Sequence, residues 1–265
     1  MDHAIPNQQK HFILVHGACH GAWCWYKLKP LLESAGHRVT AIDLSASGIN
    51  TKGLHELRTF SDYSEPLMEL MAAIPPDQKV ILVGHSYGGL SIALAMDHYP
   101  EKISIAVFVA AFIPDVIHAP SYPVDRFFER ERADVMMDTQ FSTYGSPEEP
   151  ITLMLFGPQL LSFKLYGLCS VEDRQLAKLL MRPSPLFLDD TSKAKSFSKE
   201  RFGSVNRAYV VCNEDQCLTF EFQHWLIENS GTTEVKEIKD ADHMPMLSKP
   251  RELCQILQEI TDKYI

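Results

Sequence analysis

Short apolar runs alternate with segments of helical periodicity along most of the chain. The runs are rich in β-branched residues and bounded by polar residues, Gly or Pro, which is typical of buried strands. They lie at residues 12–15, 38–44, 79–83, 103–109, 207–212 and 233–238. The helical segments lie at 25–35, 60–73, 90–98, 220–229 and 250–263. Strands that alternate with helices favour a mostly parallel sheet covered on both faces, so we predict a doubly wound α/β fold.

Residues 114–192 interrupt this alternation. The segment is rich in Met, Phe, Tyr and Pro, and it shows helical periodicity only in pieces such as 171–181. We predict that it is a cap inserted into an α/β core made of residues 1–113 and 193–265. Most of its apolar side chains are expected to pack within the protein, and the remainder would line an apolar pocket.

The charge balance narrows the range of partners. The 265 residues carry 34 acidic and 25 basic side chains, so the net charge is −9, which repels phosphate backbones and anionic lipid surfaces. Residues 1–10 are polar and lack a signal pattern, and no apolar run approaches the roughly 20 residues that span a bilayer. We therefore predict a cytoplasmic protein that binds neither nucleic acid nor membrane.

The six cysteines are scattered and form no CxxC pair, so we expect reduced thiols. Cys19 lies in the loop after the first predicted strand, where a packed thiol is favoured over a second nucleophile. The chain contains no HExxH, no paired-cysteine ligand set and no glycine-rich phosphate loop with a Lys-Ser/Thr pair. The sequence therefore predicts neither a metal ion nor a cofactor.

The strongest chemical signal is the pentapeptide Gly84-His85-Ser86-Tyr87-Gly88, which matches G-x-S-x-G. It lies between a predicted strand and a predicted helix, the context in which this motif forms a nucleophile elbow. The strained turn exposes the serine oxygen, and glycine at the flanking positions avoids side-chain clashes. We predict that Ser86 is a catalytic nucleophile.

A serine nucleophile needs a neighbouring base and an acid that orients the base. His243 follows the last predicted strand, and Asp215 follows the strand before it, both at carboxyl ends where open α/β sheets place their sites. The order Ser, acid, His is that of the α/β-hydrolase triad. We predict His243 as the base and Asp215 as the acid, with Glu214 and Asp242 as competing acids.

The tetrahedral intermediate needs two backbone donors directed at its oxygen. The residue after the nucleophile, Tyr87, supplies one, and the loop after the first strand supplies the other. Gly17 lets that loop pass close to the site, so Ala18 is the expected second donor. Gly17, His85 and Met244 flank these groups and are candidate substrate-binding residues.

Nearly the whole chain resembles the plant methylesterase and hydroxynitrile lyase family. The resemblance lies in four blocks, HFILVHGACHGAWCWYKLKPLLESAGHRVTAIDLSASGIN, DYSEPLMELMAAIPPDQKVILVGHSYGGL, DTQFSTYG and VKEIKDADHMPMLSKPREL. It implies an α/β-hydrolase fold with a helical cap, and hydrolysis of the methyl ester of a hydrophobic plant metabolite. Within the family the alkaloid methylesterases are the most similar, which implies an alkaloid aldehyde ester that loses carbon dioxide after hydrolysis. It also implies the same triad and oxyanion donors, Ser86, Asp215, His243, Ala18 and Tyr87.

The chain departs from the family pattern at two positions. Pro245 stands where relatives commonly carry a small residue, and Tyr87 stands where Phe or Leu is more usual, so both bear on substrate preference. The lyase branch has a threonine and a lysine where this chain has Gly17 and Met244, so no cation is present to stabilise cyanide and the lyase reaction is disfavoured.

The remaining alternatives are a phytohormone methylesterase and a ligand receptor with little turnover. A homodimer is compatible with the sequence.

Overall fold

The computed structural model describes residues 9–130, 135–146 and 148–264. Its central sheet has six parallel strands in the order β2-β1-β3-β4-β8-β9. These strands are β1 (His11–Val15), β2 (Arg38–Ile42), β3 (Val80–His85), β4 (Ile103–Val109), β8 (Arg207–Cys212) and β9 (Glu234–Ile238). The predicted α/β fold with a parallel sheet is confirmed.

Helices connect the strands and lie on both faces of the sheet. Outside the segment 114–192 they are α1 (Leu28–Ser34), α2 (Phe60–Ala73), α3 (Gly88–His98), α8 (Phe220–Ser230), α9 (Pro245–Ser248) and α10 (Pro250–Thr261). Alternate side chains of β1 enter different clusters, Ile13 and Val15 on one face and Phe12 and Leu14 on the other. Both faces are therefore buried, as expected for a parallel sheet.

The order of the strands reverses next to β1. The chain runs from β1 outward to β2 and then returns to place β3 on the other side of β1, where Val15 pairs with Gly84. The loops that follow β1 and β3 therefore emerge side by side at the carboxyl edge. Open α/β sheets bind their ligands at such a switch point.

The segment 114–192 contains helices and a second sheet. Its helices are α4 (Tyr122–Arg130), α5 (Pro158–Leu160, continued by a π-helical turn at Leu161–Leu165), α6 (Val171–Leu180) and α7 (Leu188–Lys193). Its antiparallel strands are β5 (Gln140–Ser146), β6 (Glu149–Leu155) and β7 (Ser184–Leu186). The pattern did not predict these strands, because β5 is mostly exposed and shows no alternation of buried and exposed positions.

The segment shares its apolar core with the main sheet. Phe127, Met154 and Phe187 belong to the same buried cluster as Ile13 and Tyr87. The division into a core of residues 1–113 and 193–265 and a cap of residues 114–192 stays a prediction.

The helix predicted at 25–35 is shorter than expected. A single 3₁₀ turn at Ala22–Trp25 precedes α1, which begins only at Leu28. Of the polar start at 1–10, residues 1–8 lie outside the described part of the chain. Within the described ranges, none of the helices has both the length and the apolar character needed to cross a bilayer.

Candidate active site

A strained turn joins β3 to α3 at Ser86. The backbone of Ser86 has a φ of 52°, in the left-handed region that costs a non-glycine residue about 1–3 kcal/mol. A Cβ at Gly88 would lie 2.4 Å from the carbonyl oxygen of His16, so only glycine fits there. The Ser86 carbonyl accepts hydrogen bonds from the amides of Gly89 (3.0 Å) and Phe112 (3.1 Å). The turn is therefore held rigidly, with Ser86 half-buried at the sheet edge.

The loop after β1 lies directly against this turn. A Cβ placed on Gly17 would lie 2.8 Å from the Cβ of Ser86 and 3.2 Å from Nδ1 of His85. Any side chain at this position would collide with the serine. Gly17 therefore lets the backbone that leads to Ala18 approach Ser86.

The acid and the base meet at the ends of β8 and β9. Nδ1 of His243 lies 2.7 Å from Oδ2 of Asp215, and both side chains are buried. The other carboxylate oxygen, Oδ1, accepts hydrogen bonds from the amides of Cys217 (2.7 Å) and Leu218 (2.9 Å). Burial raises the pKa of Asp215, and the contacts with His243 and the two amides oppose this rise. The carboxylate is thus fixed in one orientation toward the imidazole.

His85 connects the serine turn to the histidine loop. Its Nε2–H donates a hydrogen bond of 2.7 Å to the backbone carbonyl of His243, and the two ring centroids are 4.7 Å apart. Burial lowers the pKa of His85 well below its ordinary value, so the ring is neutral. This bond brings the loop that carries His243 to the residue next to Ser86.

The competing acids occupy different environments. Glu214 is exposed and lies outside the buried contact between Asp215 and His243. Asp242 is buried, but its carboxylate accepts hydrogen bonds from the amides of Leu168 (2.8 Å) and Met244 (3.1 Å), and from the Ser248 hydroxyl (2.7 Å). Asp242 thus braces the histidine loop, and Asp215 is the carboxylate in contact with the imidazole.

Comparison with known proteins identifies the family of the chain. Residues 12–256 match the alpha/beta hydrolase family. The chain belongs to this family. It is 61% identical to polyneuridine aldehyde esterase from Rauvolfia serpentina over 98% of both chains. The crystal structure of polyneuridine aldehyde esterase superposes with a TM-score of 0.95 and covers 96% of this chain and 100% of that one.

Two further relatives extend the comparison within the α/β hydrolases. Salicylic acid-binding protein 2 from Nicotiana tabacum is 60% identical over 96% of this chain and 98% of its own length. Methylesterase 1 from Arabidopsis thaliana is 49% identical over 97% of this chain and 98% of its own length. The predicted resemblance to plant methylesterases is confirmed.

One expected oxyanion donor lies in the loop after β1, and the other lies in the α/β-hydrolase serine turn itself. Ala18 follows Gly17 in the loop after β1, and Tyr87 precedes the first residue of α3. The Tyr87 side chain is buried in the core, where its ring packs edge-on against Phe60 with the centroids 5.9 Å apart. The roles of Ala18 and Tyr87 as donors stay predictions.

The residues after His243 form a short helix. Pro245 is the first residue of α9, a position where proline is favoured because its missing N–H needs no partner. Met244 is fully buried, and its carbonyl accepts from the amides of Leu247 (2.9 Å) and Ser248 (3.0 Å). Pro245 thus fits the local structure, and the substrate contacts of Gly17, His85 and Met244 stay predictions.

Sequence reasoning did not single out two histidines of the loop after β1. His16 and His20 are both buried, and they bond to the backbone carbonyls of Gly17 and Ala18, respectively. The segment His16-Gly17-Ala18-Cys19-His20 carries them four positions apart, but spacing alone does not reveal carbonyl contacts. Cys19 between them is a packed thiol, because its Sγ donates to the Met154 carbonyl (3.1 Å) and burial raises its pKa to about 12.

The site carries no group of metal ligands in the parts of the chain that are described. Among these residues no set of three or more His, Cys, Asp or Glu side chains is arranged to hold a metal ion. The expectation that the reaction uses neither a metal nor a cofactor stays a prediction.

Proposed function

We propose that the protein is a serine carboxylesterase that hydrolyses the methyl ester of a hydrophobic plant metabolite. The observation that carries this proposal is the Asp215–His243 contact of 2.7 Å beside the strained turn at Ser86. A neutral hydroxyl is a poor nucleophile, and an imidazole oriented by a buried carboxylate is the group that activates it.

The reaction follows from these positions. Ser86 attacks the ester carbonyl while His243 accepts its proton, and Asp215 stabilises the resulting imidazolium. The backbone N–H groups of Ala18 and Tyr87 bind the oxyanion of the tetrahedral intermediate. Methanol leaves with the proton from His243, and a water molecule then hydrolyses the acyl-enzyme to release the acid. All of these steps use side chains and amides of this chain.

The substrate we propose is an alkaloid methyl ester with an aldehyde carbon attached β to the ester carbonyl. The relative named polyneuridine aldehyde esterase supports this class at 61% identity. Hydrolysis gives a 3-oxo acid in which the aldehyde carbon is the β carbon, and this acid loses carbon dioxide through a cyclic arrangement in which the aldehyde oxygen takes the carboxyl proton. The net charge of −9 would attract a protonated alkaloid amine.

Two alternatives use the same scaffold. A phytohormone methyl ester would need the same chemistry, and the relative named Methylesterase 1 supports hydrolysis of a methyl ester in general. The relative named salicylic acid-binding protein 2 favours a ligand receptor with little turnover. A receptor would stall after about one turnover, whereas an esterase reaches a steady state.

A panel of methyl esters distinguishes these functions. The purified protein is incubated with an indole alkaloid aldehyde ester, methyl salicylate, methyl jasmonate and methyl indole-acetate at equal concentration. Mass spectrometry then follows acid and decarboxylated product, with Ser86→Ala as the inactive control. We expect the highest kcat/KM for the alkaloid ester. A higher value for a hormone ester would refute the alkaloid assignment, and turnover by Ser86→Ala would refute the serine mechanism.

The cellular location and the oligomeric state are also proposals. A cytoplasmic location is supported by the buried free thiols Cys19, Cys24, Cys169, Cys212 and Cys254, since reduced thiols are typical of a reducing compartment. Imaging of a fluorescent fusion would test it. Homodimer formation stays a prediction that light scattering of the purified protein would test.

A further inference from the structure

Two buried histidines hold the peptide groups on either side of Ala18. Nδ1 of His16 lies 2.8 Å from the Gly17 carbonyl oxygen, and Nδ1 of His20 lies 2.7 Å from the Ala18 carbonyl oxygen. A carbonyl oxygen can only accept, so each Nδ1 carries a proton and donates it. Neither imidazole takes part in the proton transfers of the proposed reaction.

The contacts of the opposite ring nitrogens fix the same tautomer. The Leu44 amide donates to Nε2 of His16 (3.1 Å), so this nitrogen is unprotonated. The Tyr166 hydroxyl lies 2.6 Å from Nε2 of His20 and is the donor, because Nδ1 already holds the proton of that neutral ring. Burial lowers the pKa of His16, and it lowers the pKa of His20 to about 3. Both rings are therefore neutral at physiological pH.

The contact of His16 has a direct consequence for the oxyanion donor. The Gly17 carbonyl and the Ala18 N–H belong to one planar peptide unit and point in opposite directions. The Gly17 oxygen accepts from Nδ1 of His16 and also from the His20 amide (3.3 Å). Two donors on one oxygen fix the peptide plane and polarise its N–H, which becomes a stronger donor.

We propose that His16 is a positioning residue that orients the Ala18 N–H toward the oxyanion. The proposal rests on the proposed function, because it assigns a task to the same intermediate. His20 fixes the following peptide, so that both sides of Ala18 are held before substrate binds. Oxyanion donors must be preorganised in this way to lower the barrier.

Two substitutions distinguish orientation of the Ala18 N–H from a purely structural role of His16. In His16→Asn, the side-chain amide lies where Nδ1 lies and can still donate to the Gly17 carbonyl, but the contact with Leu44 is lost. In His16→Gln, the amide oxygen reaches the position of Nε2 and accepts from the Leu44 amide, but the hydrogen bond to the Gly17 carbonyl is lost. Each variant thus removes one of the two buried hydrogen bonds. A merely structural role would make both variants lose activity to a similar extent.

The expected result is an asymmetry in kcat. Since removing a whole oxyanion donor costs about 10²–10³-fold in kcat, His16→Gln should lower kcat by roughly 10–100-fold with KM within about threefold. His16→Asn should stay within about fivefold of the wild type. His37→Gln is the matched control. His37 is also buried, but it precedes β2 and so lies at the amino-terminal end of the strands, whereas His16 lies at their carboxyl-terminal end. The control substitution should leave kcat unchanged.

A trifluoromethyl ketone provides a readout that does not depend on ester turnover. It forms a hemiketal with Ser86 and places an oxyanion between the donors, so its affinity reports the hole itself. We expect His16→Gln to bind the ketone at least tenfold more weakly than His16→Asn does. Equal affinities in the two variants would overturn the positioning role. Failure of the wild type to turn over any ester would instead refute the proposed function.

A measurement on the wild type covers the case in which the variants do not fold. Nitrogen-15 NMR distinguishes the two neutral tautomers of each imidazole. We expect His16 in the Nδ1–H form at neutral pH, and an Nε2–H form would overturn the proposal.

Discussion

Asp215→Asn tests how the proposed base is oriented, and the structure specifies what the substitution does. The asparagine oxygen should stay with the amides of Cys217 and Leu218, which lie 2.7 and 2.9 Å from Oδ1, because an NH₂ group cannot accept their protons. The NH₂ group then faces Nδ1 of His243. That nitrogen must become an acceptor, so the imidazole proton moves to Nε2. In this tautomer His243 cannot take the proton of Ser86.

The expected loss in kcat follows from this tautomer change. The corresponding substitution in serine proteases lowers kcat by about 10⁴-fold, which equals a barrier increase of about 5.4 kcal/mol. The fold should not suffer, because burial raises the pKa of Asp215 and a neutral amide avoids the cost of burying a charge. We therefore expect a catalytic defect in a protein whose melting temperature is equal to or above that of the wild type.

The assay measures kcat and KM with a chromogenic ester, alongside thermal melts. Glu214→Gln is the matched control, because Glu214 is the exposed neighbour of Asp215 and should stay within about twofold of the wild type. The reasoning is refuted if folded Asp215→Asn retains activity within tenfold of the wild type. It is also refuted if Glu214→Gln is the variant that loses activity.

Three further predictions follow from contacts in the site. Gly17→Ala should reduce kcat by at least tenfold in steady-state assays, because its Cβ would lie 2.8 Å from the Cβ of Ser86; wild-type activity would contradict the close approach. The wild type should release no cyanide from mandelonitrile above background, since Met244 supplies no cation; robust release would contradict the esterase assignment. Burial lowers the pKa of His16, His20 and His85, so the unfolded chain takes up protons that the folded chain excludes, and the free energy of unfolding, measured by urea titration, should fall as the pH drops below about 6.5. Each histidine contributes about 1.4 kcal/mol per pH unit until its lowered folded pKa is reached, and a flat profile would contradict the burial of these neutral rings.

Strands and helices with strong local signals were predicted closely. The helix at 60–73, and the strands at 103–109 and 207–212, have the predicted bounds. Thr59 explains the sharp start of the helix, because its hydroxyl accepts from the Asp62 amide (3.1 Å) and forms a capping box. Each of these elements has a consistent apolar pattern from end to end, so local sequence and tertiary burial agree.

The second sheet shows where local pattern fails. The strands β5 and β6 pair over their full lengths, from Gln140 with Leu155 to Ser146 with Glu149. Most of β5 is exposed, so pairing with β6 rather than burial of one face holds it as a strand. A sequence pattern reports burial, and it therefore contains no signal for a strand of this kind.

In the candidate site, the proposed triad residues were predictable and the supporting contacts were not. The serine turn and the positions of Asp215 and His243 after strands are encoded in a motif and in chain order. The carbonyl contacts of His16 and His20 depend on how a loop folds back on itself. These contacts join residues that are one or two positions apart in the sequence. Their geometry depends on the three-dimensional path of the loop, which the periodicity of apolar residues does not describe.

The supporting contacts also connect the segment 114–192 to the loops that carry the proposed site. Tyr166 donates to His20 (2.6 Å), the Arg182 amide donates to the Cys19 carbonyl (3.2 Å), and Asp242 accepts from the Leu168 amide (2.8 Å). Two of these bonds reach the loop that carries the proposed oxyanion donor, and the third reaches the residue before His243. A change in packing of this segment would therefore alter the geometry of the donor and of the base together. Substitutions that reshape a substrate pocket here should affect kcat as well as KM, because the same backbone contacts support both.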